Sequence, residues 1–394
     1  MNAIPLAQVK GKPLQALYFT QFLSAFADNA LLFAILALLK DRAFPEYYIG
    51  VVQTCFLLAY VLLAPFVGAF ADKHSKRTVL MTGNALKAAG VIGLLCGLNP
   101  AVSYSLAGIG AAVYSPAKYS ILVYLTEGGE ELLRANSRIE GYTIMAILAG
   151  SVGGGVMAAW SVTAAVAACL CFYAVSLLMT AFIPHTPGNR NIRYGKDAAL
   201  FFKDTVALFK DAKSRFALAG TGSFWMASAV VRLAVVAWVP LHLGIQSVDL
   251  ISLIVALTAI GIMIGAFLTP KIVPAGKYYN SYRFGLLMVA VLLLLPLVFH
   301  MAVTVVLILA VGACGGIYLI PLNSALQQNR IVGPGKTIAI QNLVENLLML
   351  GGVSVYTKLS ESGVATDTSI IGTAVVLLLF VGYLAVQKRK LAAG

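Results

Sequence analysis

Apolar residues fall in twelve blocks of roughly 20 to 26, the length a helix needs to cross about 30 Å of hydrocarbon. Short polar connections separate the blocks. The pattern predicts an all-α membrane protein with twelve transmembrane helices. We place the spans at 14–39, 46–71, 78–98, 101–125, 135–159, 161–183, 216–243, 250–270, 283–300, 302–326, 337–359 and 364–386.

The first block follows Lys10 and Lys12, as the apolar segment of a signal peptide would. It is longer than such a segment and contains Asp28, and no small-x-small cleavage site precedes the next span. We therefore expect it to be retained as the first span.

Composition agrees with membrane insertion, because 60% of the residues are hydrophobic and 11% are charged, whereas soluble domains carry about 25% charged residues. The net charge of +13 could indicate nucleic-acid binding, but the basic residues are not gathered on one module. Anionic lipid headgroups explain the charge better. We find no nucleophile with a nearby base and no metal-ligand pattern, and expect neither enzymatic activity nor a cofactor.

Basic residues also predict the orientation, because Lys and Arg stay on the cytoplasmic side. Alternate connections, including both chain ends, hold 22 of the 28 Lys and Arg residues. The opposite connections hold only Lys40, Arg42 and Lys358. Both termini are therefore predicted to be cytoplasmic.

A weak internal repeat relates the two halves of the chain. The sequence Gly-Ala-Phe at 68–70 recurs at 265–267, and Glu140 in the fifth span corresponds to Glu345 in the eleventh. Six plus six spans with parallel duplication resemble the major facilitator superfamily, which implies two six-helix bundles related by a pseudo-twofold axis. The predicted division is 1–183, a connector at 184–215, and 216–394.

The connector repeats Lys-Asp at 196, 203 and 210, and Phe at 202, 209 and 216. A spacing of seven is near two helical turns, so the charges share one face and the phenylalanines another. This predicts an amphipathic helix at the cytoplasmic interface. The simplest interpretation is a tether between the halves; regulation by lipid charge is the alternative.

The loop between the second and third spans reads GAFADKHSKR. It resembles the corresponding loop of the major facilitator superfamily, with Ser75 at a position where that family usually has glycine. In that family the loop locks one conformation through its acidic residue at a helix end. The resemblance assigns this role to Gly68, Asp72, Lys73, Lys76 and Arg77.

Five charged residues lie well inside predicted spans: Asp28, Lys118, Glu140, Arg232 and Glu345. A central charge costs about 2.5–3.5 kcal/mol on insertion scales, so these side chains must face one another, a ligand or water. One interpretation is a set of ion pairs that only fixes helix packing. The other, which we favour, is a transport pathway. Lys87 is set apart, because it could reach an interface.

Residue counts along the spans give each charge a depth. Asp28 and Arg232 lie roughly 21 and 24 Å from the cytoplasmic ends of their helices, while Lys118, Glu140 and Glu345 form a lower layer. Pairing across the halves then predicts two alternating gates, Asp28 with Arg232 above and Lys118 with Glu345 below.

Several segments, among them QFLSAFADNALLF, GIGAAVYSPAKYSIL and AIQNLVEN, resemble the bacterial lysophospholipid transporter family. The resemblance runs almost end to end. It implies that lysophosphatidylethanolamine and lysophosphatidylglycerol are moved from the outer to the inner leaflet of the inner membrane, with a separate cytoplasmic-side acyltransferase as a candidate partner. It also implies that Asn29 and the five charges are substrate-binding or gating residues. We expect a monomer.

A cavity with two cations and three anions suits a zwitterion better than a sugar. Two other classes remain open. A proton-coupled exporter of amphipathic drugs would use the same fold, with Asp28 or a glutamate as the proton carrier. A membrane enzyme that acts on lipids would need a nucleophile and a base close together.

Overall fold

The computed structural model describes residues 12–45 and 47–391, which are helical apart from short connections. These residues form fourteen α-helices: α1 (Lys12–Asp41), α2 (Tyr47–Lys73), α3 (Lys76–Leu95), α4 (Pro100–Ser120), α5 (Leu122–Leu125), α6 (Gly128–Trp160), α7 (Val162–Met179), α8 (Tyr194–Lys210), α9 (Ala212–Leu243), α10 (Val248–Ile272), α11 (Tyr282–Leu294), α12 (Met301–Gln327), α13 (Pro334–Glu361) and α14 (Thr366–Leu391). Three short 3₁₀ helices, at Thr180–Phe182, Ala275–Ser281 and Leu295–Leu297, extend α7, precede α11 and follow α11.

Twelve of these elements are long and apolar enough to cross a membrane, within the range that the structure describes. The all-α, twelve-span prediction is therefore confirmed. The largest difference in a helix start is in the fifth span, where α6 begins at Gly128 rather than at residue 135. Its first turns contain Glu130 and Glu131, which favour a helix N-terminus but lower the hydropathy on which the prediction depends. The predicted cytoplasmic chain ends concern residues 1–11 and 392–394, which lie outside the described residues.

Large apolar side chains remain exposed along the spans. On α2, Leu58, Leu62 and Phe66 follow one another at intervals of four residues, and each is more than 40% exposed. Such a stripe on one helix face is unfavourable in water and suits contact with lipid chains.

Contacts divide the chain into two compact units. Unit 1 contains residues 1–127, 145–202 and 332–340, and unit 2 contains residues 128–144, 203–331 and 341–394. The beginning of α6 thus belongs to unit 2 and the beginning of α13 to unit 1. The division at residues 183 and 216 stays a prediction.

Small residues set the helix packing in unit 1. A Cβ atom at Gly150 or Gly154 of α6 would collide with the backbone of Phe26 or Ala30 of α1. The glycines at intervals of four thus let the two backbones touch. The apolar core beside them is centred on α1, with Leu31 almost fully buried.

Unit 2 uses the same device between α10 and α12. Gly261 and Gly265 lie against the backbone of α12, and Gly312 lies against that of α10. Toward the C-terminal ends of α10 and α12, Leu133 of α6 packs with Ala266 and Ile320. The first turns of α6 are therefore held by the C-terminal half of the chain.

The connector is shorter than its sequence repeat suggests. Helix α8 ends at Lys210, and the Asp211 side chain accepts a hydrogen bond from the Ser214 amide (2.8 Å) as the N-cap of α9. The third repeat therefore begins a membrane helix. Phe216 is fully buried, whereas Phe202 is 68% exposed, so the prediction that Phe216 shares a face with the other two phenylalanines is wrong.

Candidate functional site

The centre of unit 1 holds an ion pair between the first and third helices. Lys87 of α3 donates to Asp28 of α1 across 2.7 Å, and the Tyr173 hydroxyl of α7 donates to the other carboxylate oxygen across 2.7 Å. Lys87 is 2% exposed and Asp28 20% exposed. Asp28 is therefore neutralised by the protein while part of its side chain stays accessible.

Lys87 was set apart in the sequence because it could reach an interface, and that interpretation is wrong. Its ammonium lies 4.9 Å from the ring centroid of Tyr114 and 5.8 Å from that of Tyr173. It also donates to the Ser24 hydroxyl across 2.9 Å. Aromatic faces and a hydroxyl thus surround a charge that is almost fully buried.

A chain of hydrogen bonds continues from this pair toward the N-terminal ends of α1 and α3. The Ser24 hydroxyl donates to the side-chain oxygen of Asn84 (2.9 Å), and the side-chain nitrogen of Asn84 donates to the Ser176 hydroxyl (2.8 Å). The Ser176 hydroxyl in turn donates to the backbone carbonyl of Thr20 (2.9 Å). Ser24, Asn84 and Ser176 are buried. Helices α1, α3 and α7 are therefore joined by polar contacts as well as apolar ones, which fixes where Asp28 stands.

Asn29, the next predicted site residue, is partly buried on α1. Its side-chain amide donates to the Ala25 carbonyl one turn earlier, at 2.8 Å. The amide oxygen is the part of this side chain that can act as an acceptor for a ligand.

Lys118 lies in the last turn of α4 and is 8% exposed. Its ammonium is 4.1 Å from the ring centroid of Tyr119. Pro116, also buried, lies just before it within the same helix. A proline here removes one backbone hydrogen bond and loosens the turn that carries the lysine.

Glu140 of α6 is 5% exposed and belongs to unit 2. One turn earlier, Asn136 and Gln327 of α12 exchange two side-chain hydrogen bonds, of 2.9 and 2.7 Å. Ser137 donates a further bond to the Ala266 carbonyl of α10. These contacts hold the helix segment that presents Glu140.

Glu345 of α13 is 9% exposed and receives a hydrogen bond from Gln341 across 2.8 Å. Gln341 also donates to Asn323 of α12 across 2.7 Å. The amide thus links α13 with α12 and orients one oxygen of the glutamate. Gln341 and Asn323 are site residues that we did not select from the sequence, where uncharged amides in apolar spans were the only signal.

Arg232 lies on α9, and its side chain is exposed. Val236, one turn further along the same side of the helix, is also 48% exposed. Within the described part of the chain, Arg232 forms no ion pair with an acidic side chain. An arginine in a span without a protein counter-charge is suited to an anionic ligand.

The loop at the end of α2 is built around Asp72, in unit 1. Its two carboxylate oxygens accept hydrogen bonds from the Gly335 and Lys336 amides, at 2.7 and 2.9 Å. These amides open α13, where a helix N-terminus favours a negative charge. Asp72 therefore caps a helix more than 260 residues away in the sequence.

Gly68 and Lys76 complete this contact. A Cβ atom on Gly68 would come within 2.7 Å of the Lys336 Cα, so only glycine lets α2 and α13 approach this closely. Lys76 is 1% exposed and pairs with Asp72 across 3.1 Å. The structure therefore brings three of the five predicted loop residues to one place.

The other loop residues lie at the margin of the contact. The Lys73 ammonium is 4.3 Å from the Tyr194 ring centroid, and Arg77 is half-buried. Ser75, where the superfamily usually has glycine, has φ −57° and ψ 133°, a conformation open to any residue. Its hydroxyl accepts from the Thr186 amide, so this turn needs no glycine.

The sequence model of the Major Facilitator Superfamily matches residues 17–353. A protein of Salmonella arizonae named lysophospholipid transporter LplT is 41% identical over 386 residues, which cover 97% of this chain and 97% of that protein. The protein of that name from Yersinia enterocolitica is 41% identical over 358 residues, covering 89% of this chain and 88% of its own.

Solved structures agree on the fold. The human organic anion transporter MFSD10 superposes with a TM-score of 0.77 at 15% identity, over 97% of this chain and 100% of that one. The fucose:proton symporter FucP of E. coli gives a TM-score of 0.76 at 15% identity, over 95% and 98%. The chain therefore has the major facilitator fold and belongs to the Major Facilitator Superfamily and, within it, to the family of the lysophospholipid transporter LplT.

Proposed function

We propose that this protein moves lysophospholipids from the outer to the inner leaflet of the bacterial inner membrane by alternating access. The observation that carries the proposal is the 41% identity to a named lysophospholipid transporter over 97% of both chains. Lysophosphatidylethanolamine and lysophosphatidylglycerol are the proposed substrates.

Arg232 is the proposed first contact of the lipid phosphate. A guanidinium binds two phosphate oxygens at once, and this one has no protein counter-charge among the described residues. Lys118, deeper in the first half, is the proposed second station. Glu140 and Glu345, whose carboxylates lie within the spans, are the proposed partners of an ethanolamine ammonium.

The single acyl chain supplies little of the selectivity. Burial of each CH₂ is worth about 0.8 kcal/mol against water, but the chain leaves a bilayer that is equally apolar. Discrimination therefore rests on the headgroup contacts and on steric exclusion of a second chain.

Proteoliposomes with fluorescent lysophosphatidylethanolamine test this proposal. We expect transfer between leaflets for the intact protein, at least tenfold slower transfer for Arg232→Ala, and no transfer of a two-chain lipid. Arg42→Ala is the matched control, because Arg42 is an exposed arginine outside the spans. Equal rates for all proteins and both lipids would contradict the proposal.

The two gates also remain proposals. If Asp28 pairs with Arg232 in one state, it must exchange Lys87 for Arg232 during the cycle. The exchanged variant Asp28→Arg with Arg232→Asp would place an arginine against Lys87. It should therefore be made together with Lys87→Met, and recovery of transport relative to the single variants is then expected. No recovery would favour separate ligand contacts.

The remaining proposals concern the orientation of the protein, its oligomeric state and its partner. We propose cytoplasmic chain ends, a monomer and a separate acyltransferase that restores the second acyl chain of the lipid.

A transporter releases its lipid unchanged, so incubation with lysophospholipid should give no new product. Lipid extraction and mass analysis would check this. Transport that stops when a proton gradient is removed, and that shows no preference for lysolipids, would instead favour a drug exporter.

A further inference from the structure

Helix α8 has one buried side and one side whose apolar residues are exposed among the described residues. Phe201 and Leu208 are fully buried, whereas Phe202 is 68%, Val206 53% and Phe209 37% exposed. The exposed three follow one another at intervals of four and three residues, so they form one stripe along the helix.

Three lysines flank this stripe. Lys196, Lys203 and Lys210 are all exposed and recur every seven residues, which places them in a row along the same side of the helix. We call the three lysines with Phe202, Val206 and Phe209 the exposed face of α8. Rings beside lysines suit the boundary between acyl chains and headgroups, where long cationic side chains extend outward to phosphate.

The chain on either side of α8 keeps this face near the membrane. The preceding span ends at Phe182 and the following span begins at Ala212, directly after α8. A connector that is attached at both ends to membrane helices has the bilayer surface within reach. Its exposed face carries positive charges, which fit anionic lipids and not a neutral surface.

We propose that the exposed face of α8 binds the anionic lipid surface of the leaflet on its own side of the membrane. The phenylalanines enter the acyl boundary and the lysines collect anionic headgroups. This inference does not depend on the transported substrate.

The opposite side of α8 connects this surface to the Asp72 contact. Asp197 pairs with Lys336 across 3.1 Å, and the Lys336 amide is one of the two that Asp72 binds. Tyr194 of α8 is hydrogen-bonded to His74, two residues after Asp72, at 2.7 Å. Asp197 of α8 and Asp72 thus both bind Lys336. Lipid binding that holds α8 in this position therefore stabilises the conformation in which Asp72 caps α13.

Tryptophan quenching tests the lipid contact in the intact protein. Phe202→Trp is reconstituted with brominated phosphatidylglycerol or brominated phosphatidylcholine in the same mixed bilayer, and the signal of the native tryptophans is subtracted. We expect quenching by both lipids, with phosphatidylglycerol enriched several-fold over its bulk fraction. Each lysine near an anionic surface raises the affinity of the segment for that surface about fivefold, which is the attraction that produces the enrichment.

Two charge variants with equal loss of charge separate local from general effects. The first variant carries Lys196→Gln, Lys203→Gln and Lys210→Gln together. It should lose the preference for phosphatidylglycerol and keep the quenching by phosphatidylcholine. The second variant carries Lys40→Gln, Arg42→Gln and Lys358→Gln, which replace three residues that are also exposed. It should keep the preference for phosphatidylglycerol. A preference unchanged in the first variant would overturn the proposal. Absence of quenching of the Phe202→Trp tryptophan by either lipid would also overturn the proposal. It would indicate that the exposed face of α8 contacts a protein partner and not lipid.

A second measurement tests the coupling. Added phosphatidylglycerol should raise the unfolding temperature of the native protein. Asp197→Asn should lose most of this rise but keep the tryptophan quenching in the Phe202→Trp background. A rise that persists in full would show that the Asp197–Lys336 pair does not connect lipid binding with the Asp72 contact.

Discussion

The ion pair between Asp28 and Lys87 allows a quantitative prediction. Four proteins are compared: the native chain, Asp28→Asn, Lys87→Met, and the variant with both changes. Asn and Met have nearly the size of the residues they replace, so the cycle removes charge while the packing of α1 and α3 is largely kept.

The burial of each partner sets the expected magnitude. Asp28→Asn leaves an ammonium that is 2% exposed without its counter-charge, which should cost about 3–5 kcal/mol. Lys87→Met leaves a carboxylate that is 20% exposed and still bound by Tyr173. This should cost less, about 1–3 kcal/mol.

The double variant should be more stable than the sum of the single changes predicts, because two neutral side chains leave no buried charge. We expect a coupling energy of about 3 kcal/mol. Equilibrium unfolding in mixed micelles measures the free energies, and the lysophospholipid assay in proteoliposomes measures transport.

The two measurements separate structure from function. A coupling energy below about 0.5 kcal/mol would refute the pairing. If the double variant is stable but inactive, at least one of the two charges is needed for transport. If it is both stable and fully active, the pair serves only to hold the helices together.

Three further predictions concern packing and capping. Gly154→Val should sharply lower the yield of folded protein, because the added Cβ would collide with the α1 backbone. Gly155→Val should not, because a Cβ at that position meets no atom closer than ordinary van der Waals contact. Gel filtration would measure the yield of both variants. Asn136→Ala should lower the unfolding free energy by about 1–3 kcal/mol, since Gln327 is 3% exposed and loses both bonds; an unchanged denaturation midpoint would contradict this. Asp72→Asn should weaken the cap on α13 by about 1 kcal/mol and alter the transport rate, and a rate equal to that of the native protein would argue against a lock.

The site was only partly predictable because the partner of a buried charge depends on which helix faces meet. Hydropathy placed Asp28 and Lys87 inside spans, but the two lie 59 residues apart. The predicted gate between Asp28 and Arg232 used the depth of each residue along its span and its place in opposite halves of the chain. Depth follows from counting residues along a helix, whereas lateral neighbours depend on helix rotation, which a nearly uniform apolar sequence does not indicate.

The sequence by itself determined the twelve spans, because a hydrocarbon layer demands a fixed apolar length. The resemblance of the loop after α2 to that of the superfamily also predicted its acidic residue at a helix end. Only the tertiary structure decided that Lys87 is a buried counter-charge, that Phe216 is fully buried whereas Phe202 is exposed, and that Gln341 orients Glu345. Those facts depend on contacts between distant segments, where the ordering of several helices together, and not any local pattern, selects the partner.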